Sequence, residues 1–351
     1  MTAIVAIAGG EAEIGKSVLG ANLSRYLNQK GHRTGLLVAG ARQPVWGIEP
    51  DSRWPDILDG SLSPDKTIHR DVFGIDLMVA SNCDRALQEI CSRNGCHLDH
   101  ALDMLEAYSY LIVDCDGRTS PPTLACCLAA TARVLVLPSD TAGLAATYEW
   151  LAHLARHDVQ RPVHIVLNQV DNPTRARSIY LRFRDQVRNR LKLQTRFWGL
   201  LNMEPELDSQ AVRQYPLSRT VPQSELLRNI HAIGDRLVTD QPPEKTARPL
   251  KAFWSDFLKY LKLLPADPIN ARQNSPLVLE GRTPAKTLRR PVTENAQALA
   301  WLNTQLTNIA QDLQAIRRLL EGGSTPQTGP SRGEALDFDE FIGRHQNPEE
   351  Q

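Results

Sequence analysis

Residues 10–17 read Gly-Glu-Ala-Glu-Ile-Gly-Lys-Ser. The run fits the phosphate-loop pattern G-x-x-x-x-G-K-[ST], in which glycines let backbone N–H groups wrap phosphate oxygens. In that chemistry Gly10 and Gly15 shape the loop, Lys16 reaches the β- and γ-phosphates, and Ser17 holds Mg²⁺. A helix starting at Lys16 would add the positive end of its dipole. The bland alternative is a chance match in a structural turn, and the motif's place between a strand and a helix argues against it. Cys91, Cys96, His97 and His100 match no common zinc spacing, so no metal site is assigned.

A loop of this kind needs a strand behind it and a helix ahead. Short apolar, β-branched runs fall at 3–8, 34–39, 75–80, 110–115, 133–138, 163–168 and 197–201. Several are apolar on both faces, as strands inside a parallel sheet covered by helices are. Helical patterns fall between them at 16–30, 98–107, 143–157 and 175–193. The alternation predicts an α/β class: a doubly wound, mostly parallel sheet flanked by helices, with helical and disordered C-terminal appendages.

The loop, the following Val18-Leu-Gly-Ala-Asn-Leu-Ser24 and Leu111-Ile-Val-Asp114 resemble the MinD/ParA superfamily of P-loop ATPases. The stretch 199–208, with 211–217 and 221–224, is similar to the end of the FlhG and MinD branch. The resemblance covers roughly residues 1–240. It implies that Asp114 is the strand-end carboxylate of the nucleotide site and that Asn168 contacts adenine. It also marks departures. The family's loop is G-K-G-G-x-G-K-[ST], and the lysine that reaches the partner's ATP is replaced by Glu11; the next two glycines are Ala12 and Glu13. The second strand of the family ends in Asp-x-Asp, where this chain has Val38-Ala-Gly-Ala41. A carboxylate about 4 Å from a phosphate charge costs about 4 kcal/mol at an effective dielectric of about 20. The expectation is therefore a degenerate site with no catalytic residue, where ATP or ADP with Mg²⁺ binds weakly or not at all. The competing expectation is an active ATP-switched enzyme that uses Asp116 or a partner's residue.

Beyond the domain, residues 241–249 read as a linker and 250–264 as an amphipathic helix. Phe253, Trp254, Phe257, Leu258, Leu261 and Leu264 share one face of it, opposite a lysine-rich face. Such a helix suits a bilayer interface, and relatives carry a membrane-targeting helix here; packing on its own domain or on a partner is the alternative. Residues 265–291 read as a second linker and 292–321 as a helix. There Leu299, Leu302, Leu306, Ile309, Leu313, Ile316 and Leu320 alternate spacings of three and four. That seam allows a homodimer through a short coiled coil, or one helix docked on the domain. Residues 322–351 are expected to be disordered, with Leu336, Phe338, Phe341 and Ile342 set among acids, a pattern that folds on partners.

The formal net charge is zero, so attraction to nucleic acid or membrane must come from local patches. Arg175, Arg177, Arg182, Arg184, Arg188, Arg190, Lys192 and Arg196 form one such patch. A solvated helical face is its commoner explanation, ahead of DNA and of an acidic protein partner. The six cysteines, without a signal peptide, read as reduced thiols, and no apolar stretch reaches a bilayer's thickness. Together with the resemblance, this predicts a cytoplasmic protein, peripheral at the inner face of the membrane. It would scaffold or position a flagellum, a pilus or an exopolysaccharide or cellulose secretion system, through contacts with proteins of that assembly and with lipid. A ParA-like DNA-partitioning role is the further alternative.

Overall fold

A computed structural model describes residues 1–11, 15–39, 44–50, 66–80, 108–115, 120–157, 159, 161–170, 172–204, 207 and 210–264. All lie in one compact unit that includes Met1–Pro268; a second, Ile269–Leu336, lies outside the described residues. So do Ala12, Glu13, Gly40, Ala41, Asp116, the 98–107 helix, Cys91, Cys96, His97, His100, the heptad helix and the tail.

Eight strands form one sheet. They are β1 (Ala3–Ala8), β2 (Thr34–Ala39), β3 (His69–Val72), β4 (Ile75–Ala80), β5 (Tyr110–Asp114), β6 (Ala132–Pro138), β7 (Val163–Val170) and β8 (Thr195–Asn202). Their order is β3-β4-β2-β5-β1-β6-β7-β8. Every pairing is parallel except β3 with β4. β1 is buried along its whole length, which is why all six of its residues are apolar. From β1 the sheet grows towards β2 on one side and towards β6 on the other. That reversal opens a crevice at the carboxyl ends of the strands beside β1, where open α/β sheets bind ligands.

The sequence pattern missed β3, because His-Arg-Asp-Val is polar and lies on an edge. A tight turn makes the hairpin: Phe73 and Gly74 both take positive φ, 49° and 92°. Asp76 pins it. Its carboxylate accepts from Tyr108 Oη at 2.6 Å, Arg70 Nη1 at 2.7 Å and the Asp71 amide at 3.1 Å. Burial pushes the Asp76 carboxyl up, but these three donors outweigh it and hold it below its usual value.

Helices cover both faces. On one face lie α1 (Lys16–Gln29) and, counting onward in chain order, the long helix α7 (Glu225–Asp240). On the other lie α2 (Pro121–Ala129), α3 (Thr141–Ala155), α4 (Pro173–Gln186) with its π-helical last turn (Val187–Leu191), and α9 (Leu250–Leu263). Short turns α5 (Ala211–Gln214), α6 (Leu217–Thr220) and α8 (Pro243–Thr246) complete the set. α7 begins at Ser224, whose Oγ accepts from the Leu227 amide at 3.1 Å. Leu226, Leu227, Ile230, Ile233 and Leu237 form its buried stripe.

α7 meets α1 through a glycine. A Cβ at Gly234 would stand 2.4 Å from Tyr26 Cδ1. The Tyr26 ring cannot swing away freely: it stacks on His231 at 4.2 Å, and its hydroxyl donates to Asp235 at 2.7 Å. We expect Gly234→Ala to destabilise the domain by about 1–3 kcal/mol despite alanine's better helix propensity. Urea unfolding checks this. A midpoint at or above that of the parent protein would refute the close-packing account.

The region after residue 240 departs from expectation. Residues 241–249 are tied to the sheet instead of linking past it. Thr2 and Arg248 exchange backbone hydrogen bonds of 3.0 and 3.1 Å, and Tyr110 Oη donates to the Gln241 carbonyl at 3.0 Å. Arg248 also pairs with Asp256 on α9 and donates to the Ala129 carbonyl at the end of α2. α9 then packs on α2. Of the face expected to meet lipid or a partner, Phe253, Trp254, Phe257 and Leu261 are buried in the domain core, and Leu258 and Leu264 are half-buried against it. The physical reason is that α2, Pro-Pro-Thr-Leu-Ala-Cys-Cys-Leu-Ala, is itself almost wholly apolar and needs a cover. The packed-back alternative is what this structure shows, and the domain runs to about residue 264.

Candidate nucleotide site

The loop leaving β1 enters α1 through Gly15, which takes a left-handed φ of 82°. A side chain there would be strained, and its Cβ would meet Asn168 Nδ2 at 2.6 Å. Gly10, at the other end, has no room either: a Cβ would stand 2.5 Å from the backbone of Ala146 and Thr147 in α3. The two ends of the loop therefore lie against α3 and the end of β7 respectively. Both glycines serve the phosphate-loop shape, and both also serve packing.

Lys16 begins α1 and is buried. Its ammonium crosses the loop to the Glu11 carbonyl at 2.7 Å. Ser17 is exposed in the first turn of the helix. Asp114 ends β5, 2 % exposed, in register with Ile7 of β1 and Val38 of β2. Its Cβ lies under α1 at Gly20. The structure therefore gathers Gly10, Gly15, Lys16, Ser17, Asp114 and Asn168 around the carboxyl end of β1. A helix N-terminus, a lysine ammonium and an exposed hydroxyl suit an anion and its Mg²⁺. Glu11, half-buried in the same loop, adds the opposite sign, and Ala39 closes β2 without a carboxylate.

Asn168, the residue that the resemblance assigns to adenine, ends the run of β7 that pairs with β6. Its Oδ1 accepts from the Gln169 amide at 2.8 Å, while its amide nitrogen faces Gly15. Gln169 takes a positive φ of 57°, and its carbonyl accepts from Ser139 Oγ at 2.8 Å. Asp140 caps α3 by accepting from the Gly143 amide at 2.9 Å. Sequence reasoning did not single out Ser139, Asp140, Gln169 or the α3 contact. The available signal was the small-residue start of α3, Thr-Ala-Gly-Leu-Ala-Ala-Thr, which lets a helix backbone approach a loop closely.

Cys115, next to Asp114, is buried with Cys126 and Cys127 of α2, and all three are free thiols. The Cys126 thiol hydrogen-bonded to Cys115, together with burial, holds Cys115 well above the usual thiol range. Its bond to Cys115 and burial do the same for Cys127. Protonated thiols are neither nucleophiles nor metal ligands. Among the described residues no His/Cys/Asp/Glu group could hold a metal ion.

A strand, a glycine-bounded loop and a lysine-led helix thus meet beside a topological switch point. No family model matches the chain. MinD cell division protein from Aquifex aeolicus superposes with a TM-score of 0.51 at 18 % identity, covering 68 % of this chain and 97 % of that one. The septum site-determining protein MinD from Pyrococcus horikoshii, complexed with Mg-ADP, gives a TM-score of 0.51 at 15 % identity over 70 % and 100 %. The fold is that of the MinD and ParA P-loop ATPases. In sequence, the chain is 23 % identical over 272 residues to the flagellum site-determining protein YlxH of Helicobacter pylori, spanning 74 % of this chain and 91 % of that protein.

Proposed function

We propose that this chain is a MinD- or FlhG-like positioning or scaffolding factor for a bacterial envelope machine, whose nucleotide site binds Mg-ATP or Mg-ADP weakly and does not turn it over. The phosphate loop carries the reading: Lys16 closes on the carbonyl of Glu11, a residue whose carboxylate opposes a triphosphate. Ala39, where β2 ends, supplies no base to orient an attacking water. When nucleotide binds, the loop amides, Lys16 and Ser17 would hold its phosphates and Mg²⁺, with Asp114 behind. The likeness to a flagellum site-determining protein and to MinD supports a placement role, carried out through contacts with proteins of the assembly. Among the described residues no helix is long and apolar enough to cross a membrane. With the apolar face of α9 occupied, attachment at the inner face of the membrane would come through those protein partners.

Retention of Lys16, Ser17 and Asp114 supports a second reading, an ATP-switched enzyme in the same kind of role. Steady-state ATP hydrolysis by the full chain and by Lys16→Ala separates the two. We expect both to sit at the same background rate, because phosphoryl transfer without positioned water and charge neutralisation loses most of its catalysis. Robust turnover that disappears with Lys16 would establish the enzyme.

A further inference from the structure

The basic patch lies on α4, its π-helical turn and the start of β8, the edge strand of the sheet. Arg175, Arg182, Arg188, Arg190, Lys192 and Arg196 are all exposed. Arg182, Arg188, Arg190 and Arg196 make no ion pair among the described residues, and the local carboxylate, Asp185, is taken by Arg184 at 2.8 Å. The surface is not purely ionic. Ile179, Leu181 and Leu191 are half-buried between the arginines. A face that alternates cations with partly open aliphatic groups asks for a ligand that alternates anions with apolar groups. Duplex DNA offers the anions but no apolar groups on its backbone.

The same chain contains such a ligand. Residues 334–342 read Glu-Ala-Leu-Asp-Phe-Asp-Glu-Phe-Ile, with four acids interleaved with Leu336, Phe338, Phe341 and Ile342. Residues 265–333 separate it from the end of α9, far more chain than is needed to reach any point on a domain of this size. Covalent attachment raises its effective concentration to the millimolar range, so weak charge-assisted contacts suffice. Zero net charge on the whole chain, with cations gathered on α4 and acids in the tail, is the balance that self-recognition would leave. We infer that the basic face of α4 and its π-helical turn is a docking site for this chain's own acidic tail, residues 334–342. An assembly protein with a similar acidic-aromatic segment would have to displace the tail to bind there.

The test uses the full chain with a photo-crosslinking amino acid in place of Phe338, and mass spectrometry to map the products. Crosslinks are expected within residues 179–196. Their yield should fall at least fivefold in Arg188→Glu/Arg190→Glu, and equally in Asp337→Lys/Asp339→Lys. It should recover when the two reversals are combined, an outcome that general destabilisation cannot mimic. Duplex DNA at low salt gives a second readout: reversing the tail charges should strengthen DNA binding by uncovering the arginines. Crosslinks elsewhere, a yield indifferent to both reversals, failure of the combined variant to recover, or DNA binding unchanged by tail reversal would each overturn the proposal.

Discussion

Replacing Phe257 by glutamate will lower the unfolding free energy of this domain by roughly 4 kcal/mol or more. Phe257 is 5 % exposed, with its ring edge-on to Trp254 at 5.3 Å and 6.3 Å from that of Phe253. Removing a buried aromatic side chain costs about 3–5 kcal/mol through lost transfer energy and the cavity left behind. A carboxylate left there without a partner adds a desolvation penalty. Phe257→Leu keeps most of the apolar volume and should cost less than about 1.5 kcal/mol. Lys259→Glu, on the exposed face, should stay within about 0.5 kcal/mol. The measurement is urea unfolding of the three variants, with liposome flotation run beside it. If Phe257→Glu abolished flotation and left the urea midpoint in place, the helix would be a membrane module and not a part of the core.

The second large effect concerns acid. His164 lies in β7, 1 % exposed, stacked on Trp198 at 3.8 Å. Its Nδ1 finds no hydrogen-bond partner among the described residues. Burial first, then the charges of Arg196, Arg133 and Arg236, push it down to about 3 from the usual 6.5. The folded state therefore takes up this proton less readily than the unfolded chain. The stability contributed by the neutral ring is fully present above about pH 6.5 and is lost as the pH falls towards 3. The slope approaches about 1.4 kcal/mol per pH unit, to a total of order 4 kcal/mol. His231, half-buried and also lowered chiefly by burial, acts in the same direction. Asp76 has a depressed carboxyl, so its share is lost only at lower pH, below the usual carboxylate value of 3.8. His164→Phe keeps the aromatic stack and removes the titration. Its urea midpoint should change much less between pH 7 and pH 4.5 than that of the parent protein. An unaltered pH slope would show that the ring is hydrated or already protonated in the folded state.

These two residues also show what the sequence could and could not convey. The strands of the parallel sheet were legible because both of their faces are covered, which leaves long apolar runs such as Ala-Ile-Val-Ala-Ile-Ala in β1. The phosphate loop was legible because its chemistry imposes glycines and a lysine at fixed spacing. β3 was not, since an edge strand of four residues is held by Asp76 and its turn, with no apolar pattern to show. The destination of α9 was not legible either. An amphipathic helix has the same periodicity whether it meets lipid, a partner or its own domain. What decided it was α2, which starts 129 residues before α9 and whose almost wholly apolar composition makes sense only beneath a cover. Likewise Asn168 could be placed at the site by resemblance, but its contact with Gly15 arises from the crossing of β7 past the loop, which no local pattern encodes.

The backbone pairing of Thr2 with Arg248 has a consequence in time. It joins the oldest end of the domain to nearly its youngest. During synthesis, the sheet can assemble around β1 once β5 and β6 exist, yet the apolar surface of α2 stays bare until α9 has left the ribosome. Domains fold as units as they emerge, and transiently exposed apolar surface is what chaperones and aggregation compete for. For this chain that interval closes only with the last turn of α9, so α9 acts as the keystone of the nascent domain, while the acidic tail is still to come.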